Sequence, residues 1–382
     1  MNRFLLRPDC RHYVGEKPCR FGCPCDGCRH FEPQGTRVLI VKLGAMGDVL
    51  RTTTLLPALR RKYDPCHVTW IVDRSGRDLL LHNPLIDRLL VCDLAAALRI
   101  DAERYDVAIC LDKEDRAVGL IARAAAATKL GYGVDPLTGN LIPLSPEAEY
   151  SFCLGISDEL KFRVNQRTYQ DFSFEAVGLA YQGEEYVFTL TDAEKEGGRR
   201  RLADLGVRPG DRLLGLNTGA GPVFATKKWS IDGFSRMARL AADRLGARVL
   251  LLGGPEEIER NRTIAENLAD MGDRVIDTGT GNPLRGFAAI VGELDAIVTG
   301  DTLAMHLAIA QRVPTVAIFG PTCAQEVELY GRGEKILTAP DCAPCYRKEC
   351  REASQKCMDD ISAETVFAAI ERWWGRNREG KG

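Results

Sequence analysis

Ala296-Ile-Val-Thr-Gly-Asp-Thr-Leu-Ala-Met-His-Leu-Ala-Ile-Ala-Gln-Arg-Val-Pro-Thr-Val-Ala-Ile-Phe-Gly-Pro-Thr322 decides the fold class of this chain. Ala296–Thr299 is a short apolar, β-branched run, which predicts a buried strand. Gly300, Asp301 and Thr302 are turn and N-cap residues. Leu303 to Gln311 then reads as a helix with Leu303, Leu307 and Ala310 on one face. Pro314 closes it, and Thr315–Phe319 is the next buried strand. Strand, tight loop, helix, strand is the repeating unit of a parallel sheet, whose ligand loops gather at the carboxyl ends of its strands. A helix beginning there aims unpaired N–H groups and a positive dipole end at its guest, so a phosphate or diphosphate fits. Taken alone, Asp301 or Thr302 is equally a helix cap, and His306 a packed core histidine.

The same grammar recurs upstream. Leu213–Asn217 reads as a strand and Thr218-Gly219-Ala220-Gly221-Pro222 as its glycine-rich loop; Lys227-Lys228-Trp229 precedes a helix over Ile231–Leu245. Ala247–Leu252 is a strand followed by the loop Gly253-Gly254-Pro255-Glu256-Glu257. Nearer the start, Arg37–Lys42 is a strand, Leu43-Gly44-Ala45-Met46-Gly47-Asp48 a loop and Val49–Lys62 a helix. Gly44 and Gly47 let a ligand approach the backbone. The loop delivers a carboxylate, Asp48, at a helix start, where the bland alternative is a plain N-cap. The G-x-G-x-x-G dinucleotide pattern is absent. Further strands are expected at His67–Asp73, Asp87–Asp93 and Tyr105–Leu111, with a helix over Arg116–Lys129. Two parallel-sheet domains therefore stand in tandem, with boundaries at 36–190 and 191–340. The second opens on a capping box, Thr191 to Glu194. A cysteine-rich extension, 1–35, precedes them, and a cysteine-rich segment with an amphipathic helix over Ala363–Trp374 follows, 341–382.

A hydrophobic share of 45% with 27% charged residues is globular composition, and a net charge of −2 argues against a nucleic-acid partner. No apolar run approaches the ~20 residues of a membrane span, and the first residues lack a signal-peptide pattern, so a cytoplasmic protein is expected. The run Arg199-Arg200-Arg201 reads as a solvated helix face, with contact to anionic lipid of the inner membrane as the weaker option.

Nine of the 14 cysteines fall in two groups. Cys19, Cys23, Cys25 and Cys28 follow Cys10 in the extension; Cys342, Cys345, Cys350 and Cys357 follow the second domain. In a reducing compartment such spacing suits metal ligation better than disulfides. Iron, zinc or an iron–sulfur cluster all remain open on ligand type, as do reduced structural thiols without metal. No organic cofactor is indicated.

Val41-Lys-Leu-Gly-Ala-Met-Gly-Asp-Val-Leu-Arg-Thr52, Lys227-x-Trp229, Gly253-Gly-Pro-Glu256 and Gly300-Asp-Thr-Leu-Ala-Met-His-Leu-Ala308 occur in the order seen in the ADP-heptose:lipopolysaccharide heptosyltransferases, glycosyltransferase family 9, which the chain resembles over about residues 36–375. The resemblance implies an α/β GT-B architecture. That means two Rossmann-like domains with a cleft between them, the donor held by the C-terminal one, and a terminal helix returning to the N-terminal one. It implies inverting transfer from ADP-heptose to a lipopolysaccharide-core, glycan, lipid-linked or protein acceptor. Asp48 matches the catalytic base and Lys227 the phosphate-neutralising lysine. Thr218, Gly219, Gly300, Asp301, Thr302 and His306 match the donor side, and Gly44, Gly47 and Arg51 the acceptor-side loop. Glu256 matches the ribose-binding position, with Glu257 its rival. Two anions repel, so Asp301 is expected to cap the helix or to meet the ligand through a donor group or ion. The C-terminal cysteines look like the iron-binding finger of heptosyltransferases that modify autotransporters; the N-terminal extension departs from the family. Transfer of another nucleotide sugar, or a catalytically silent metal-binding scaffold, are the alternatives.

Overall fold

A computed structural model describes residues 5–221 and 225–375; Pro222 lies outside the described residues. The chain forms two units, residues 1–153 with 170–184, and 154–169 with 185–382.

The first unit is built on β1 (Thr36–Val41), β2 (Cys66–Val72), β3 (Arg88–Val91), β4 (Arg104–Cys110), β5 (Ala125–Val134) and β6 (Leu141–Pro143), in the order β3-β2-β1-β4-β5-β6. All neighbours are parallel except β5 and β6. Val38 pairs with both Val68 and Val107, so β1 is central, and Val38–Val41 are wholly buried. A strand covered on both faces reads as a continuous apolar run, which is why it is visible in sequence. Leu39, Val41, Ile71 and Ala108 pack there with Val118 and Ile121.

Two local readings are corrected. The helix expected over Arg116–Lys129 ends at Arg123, and Ala125–Val134 is a strand paired along β4. Its alanines favour a helix, but the open edge of β4 wins. Gly131 lets it pass: at φ +87 its Cβ would stand 2.0 Å from the Cys110 carbonyl oxygen. The helix expected over Val49–Lys62 is two, α1 (Met46–Thr52) and one over Leu55–Lys62. The hydroxyls of Thr52 and Thr54 turn back onto the carbonyls of Asp48 and Arg51 at 2.6 and 2.8 Å, which is how threonines interrupt a helix.

The second unit carries α2 (Asp192–Asp204), β7 (Leu213–Asn217), α3 (Ile231–Leu245), β8 (Arg248–Leu252), β9 (Val275–Asp277), α4 (Leu284–Gly292), β10 (Ala296–Gly300), α5 (Leu303–Ala310), β11 (Thr315–Phe319), β12 (Gly333–Leu337) and α6 (Ala363–Trp373). Its all-parallel order is β12-β11-β10-β7-β8-β9. This is the doubly wound order, and it reverses between β7 and β10. The stretch Ala296–Thr322 thus begins at the reversal.

The terminal helix α6 corrects the expectation that it returns to the N-terminal domain. Val366, Phe367, Ala369 and Ile370 are buried in the second unit's own core, with Phe234, Met237, Val316 and Ile318. Its amphipathic pattern foretells a buried stripe but not which surface the stripe covers. Among the described residues no helix is long and apolar enough to cross a membrane.

Candidate active site

The donor-side residues converge where the second sheet reverses. β7 ends in Asn217-Thr218-Gly219 and β10 in Gly300-Asp301-Thr302; the two strands are neighbours, with Asn217 opposite Thr299. The buried Asn217 amide donates to the hydroxyls of Thr299 and Thr302, both at 3.2 Å. Those two hydroxyls lie 3.1 Å apart. This network fixes the start of α5. Thr302 occupies the N-cap position without capping through its side chain, so the first N–H groups of α5 face outward to whatever occupies the loop.

Lys227 reaches this point from the far side of the glycine loop. Its Nζ donates to Asp301 Oδ2 at 2.8 Å and to the Asp301 carbonyl at 3.3 Å. Asp301 is therefore the lysine's counter-ion rather than the helix cap. Burial pushes the Asp301 carboxyl up, but Lys227 foremost, then His306 and Thr322, outweigh it and hold the group below the ordinary carboxylate range. His306 is buried one turn into α5, its Nδ1 3.2 Å from the Tyr186 hydroxyl, a partner that sequence spacing does not reveal.

The two glutamates of the third loop turn in opposite directions. Glu256 is exposed, whereas Glu257 is buried against Gly219, where an added Cβ would stand 2.3 Å from its carboxyl carbon. Glu257 accepts from the Gly254 N–H at 3.0 Å and lies 3.5 Å from Lys228 Nζ. Thr218 is turned inward, its hydroxyl 2.5 Å from the Asn261 amide oxygen, so its backbone lines the loop.

The first unit repeats the device at its own reversal, between β1 and β4. Asp48, in the first turn of α1, stands 2.8 Å from Arg51 and 4.0 Å from Lys42. Lys42 is buried and lies 3.5 Å from Asp112. Asp112 accepts from the Leu43 and Gly44 N–H groups at 3.0 and 3.2 Å, pinning the loop. Lys42 lies within the quoted 41–52 motif, but Asp112 belongs to none of the motifs; its signal is positional, just beyond the carboxyl end of a central strand of a parallel sheet. Gly47 sits within α1 beside Asp48.

The cysteines are partly gathered. In the extension the Cys23 and Cys28 sulfurs lie 3.5 Å apart. Burial, then the neighbouring Cys342, Cys345 and Cys350, push the Cys357 thiol up to about 11. Among the described residues no three His, Cys, Asp or Glu side chains form an assembled metal group.

Two doubly wound sheets in one chain, one with a lysine and a helix start at its reversal and the other with a carboxylate at its own, are the plan of a GT-B-type transferase. Residues 163–356 match the sequence profile of glycosyltransferase family 9 (heptosyltransferase), and the chain belongs to that family. It is 23% identical to lipopolysaccharide heptosyltransferase 1 of Escherichia coli K12, over 80% of this chain and 94% of that one. It is 27% identical to lipooligosaccharide heptosyltransferase 2 of Campylobacter jejuni, over 44% of this chain and only about half, 52%, of that relative's length. Its fold is similar to a family 9 glycosyltransferase of Veillonella parvula, with a TM-score of 0.71 at 24% identity, covering 90% of this chain and 98% of that one. It is also similar to the iron-containing heptosyltransferase TibC of enterotoxigenic E. coli, solved with ADP-D-β-D-heptose, with a TM-score of 0.55 at 14% identity over 91% and 80% of the chains.

Proposed function

We propose that the protein is an inverting glycosyltransferase that moves a heptose from ADP-heptose to a hydroxyl of a lipopolysaccharide-core or related glycan or protein acceptor. The observation that carries this reading is the Lys227–Asp301 pair at the start of α5. An ammonium already held in place beside outward-facing N–H groups is suited to a departing diphosphate. Glu257, at the wall of the Gly219 loop, is the carboxylate for the donor's ribose hydroxyls in preference to Glu256.

In this mechanism Asp48 takes the proton of the acceptor hydroxyl. The oxygen attacks the anomeric carbon as the bond to the β-phosphate oxygen breaks. ADP leaves with the electron pair, and Lys227 and the α5 amides take up the added negative charge. Arg51 and Lys42 hold the Asp48 carboxylate in place. The cytoplasm, at the inner face of the inner membrane, is the setting where such a donor and a lipid-linked acceptor meet. The reading also gives the C-terminal thiols of Cys342, Cys345, Cys350 and Cys357 one iron or zinc ion. The donor set of four thiols suits either.

Asp48→Asn tests the chemistry. Loss of about 10²- to 10⁴-fold in transfer rate with ADP binding intact is expected for removal of a general base. A near-normal rate overturns the assignment. Calorimetry with ADP, UDP and GDP tests the donor: preference for UDP or GDP keeps the fold and rejects ADP-heptose, and no binding of any of them favours a silent scaffold.

A further inference from the structure

The N-terminal extension has little apolar surface to hold it. Within residues 5–35 only Cys10 is buried, and the backbone is turns and bends closed by one antiparallel bridge, Cys10 to Pro33. A segment this short that buries so little needs a staple. Its side chains nonetheless surround a cavity of about 750 Å³ that Cys10, Cys19, Cys23, Cys25 and Cys28 all line. None of the five is in a disulfide.

One pair among the five already stands at ligand spacing. The Cys23 and Cys28 sulfurs stand 3.5 Å apart; two thiolates on one tetrahedral ion, with bonds of about 2.3 Å, stand roughly 3.8 Å apart. Cys19 and Cys25 each open a tight turn, closed by Gly22 N–H to the Cys19 carbonyl at 2.9 Å and Cys28 N–H to the Cys25 carbonyl at 3.3 Å. The His30 N–H donates to Cys28 Sγ at 3.4 Å, the kind of outer contact that orients a metal-bound sulfur. The five sulfurs outnumber the two imidazoles nearby, of which His12 pairs through Nε2 with Glu32 at 3.2 Å and His30 stacks on Phe21 with ring centres 4.0 Å apart.

We propose that this extension is a thiolate metal module in which Cys19, Cys23 and Cys28, with Cys10 or Cys25 as fourth ligand, hold one divalent thiophilic ion, zinc or ferrous iron. Binding exchanges four S–H bonds for four metal–sulfur bonds and releases four protons. The ion fixes the loop that carries Arg11, whose guanidinium pairs with Asp87. Asp87 also accepts from Arg60 at 2.6 Å and from the Val68 N–H at 2.8 Å, so the module is fastened to the sheet where β2 and β3 meet.

The test uses the full chain, purified anaerobically under reducing conditions, with Cys342, Cys345, Cys350 and Cys357 all changed to Ser so that the other cysteine group is silent. Elemental analysis gives about one zinc or iron per chain if the proposal holds, and its identity separates the two metals. Exchange for cobalt(II) then produces the visible absorption of a tetrahedral thiolate complex. Cys19→Ser with Cys28→Ser loses that equivalent. Of Cys10→Ser and Cys25→Ser, one loses it and names the fourth ligand. A metal-free parent overturns the proposal, as does unchanged metal content in the double variant, or a Cys23–Cys28 disulfide in the reduced protein. If the four-serine background does not fold, the same count is made on the native chain, where the double variant must lose one equivalent or the proposal fails.

Discussion

Lys227 and Asp301 are 74 positions apart, and the proposed donor site centres on their partnership. Each is conspicuous in sequence, the lysine before a tryptophan and the aspartate at a helix start, but proximity across two strands is not written in local spacing. In the proposed binding mode the lysine paired with Asp301 offsets the repulsion expected between that carboxylate and a diphosphate. A charge-assisted contact is worth about 1.5–3 kcal/mol, so Lys227→Met is expected to weaken ADP binding roughly 10- to 100-fold by calorimetry. An unchanged affinity rejects the lysine as a phosphate ligand. The sign of the Asp301 shift adds a second check. A carboxyl held down in the folded state contributes stability above its ordinary value of 3.8, lost only as the pH falls through the lower folded value. Asp301 should therefore stay ionised throughout the neutral range. Glu256 and Glu257 teach a related lesson. A single helical turn, Pro255–Glu257, decides which of two adjacent carboxylates turns inward, and no periodicity that short can be read.

The capping box that opens α2 was readable as Thr191-x-x-Glu194, and both of its halves are present. What the sequence hides is that Glu194 also binds α4. Its carboxylate accepts from the Thr191 N–H at 2.8 Å and from Arg285 Nη2 at 2.7 Å, while Arg285 donates to the Thr189 carbonyl at 2.6 Å. One side chain thus ends a helix and joins it to its neighbour. The Arg285 guanidinium, then the Thr191 groups, hold Glu194 down at about 2 against an ordinary 4.5. Because the folded value is depressed, the stabilisation is complete above about pH 4.5 and disappears as the pH falls towards 2. Glu194→Gln should cost about 1–3 kcal/mol at neutral pH, and should flatten the acid limb of a urea-denaturation series between those two values. An unaltered acid limb would show that the pair contributes nothing across that window. Strands covered on both faces, such as β1, β7 and β10, were plain in the sequence because burial leaves them uniformly apolar. Ala125–Val134 was not, since alanine carries no strand signal and only the vacant edge of β4 selects it.

Each unit keeps its own core, and this separates stability from chemistry. The second unit's core contains α6, with Phe367 4% and Ile370 0% exposed against α3 and the sheet. The first unit's core is a distinct set around Leu39, Val41 and Ile71. Every donor-side residue lies in the second unit and Asp48 in the first. Phe367→Ala removes a large buried ring and should cost about 3–5 kcal/mol, felt in the second unit. A ligand at 100 times its dissociation constant returns about 2.7 kcal/mol to whatever binds it. Hydrogen exchange should therefore show amides of β10 and β11 losing protection in this variant, and ADP restoring much of it, while β1 and β4 keep theirs in both conditions. Equal loss in both sheets would mean that the units unfold as one body. Restoration confined to the first unit would move the nucleotide away from Lys227 and, with it, the assignment of donor and acceptor sides.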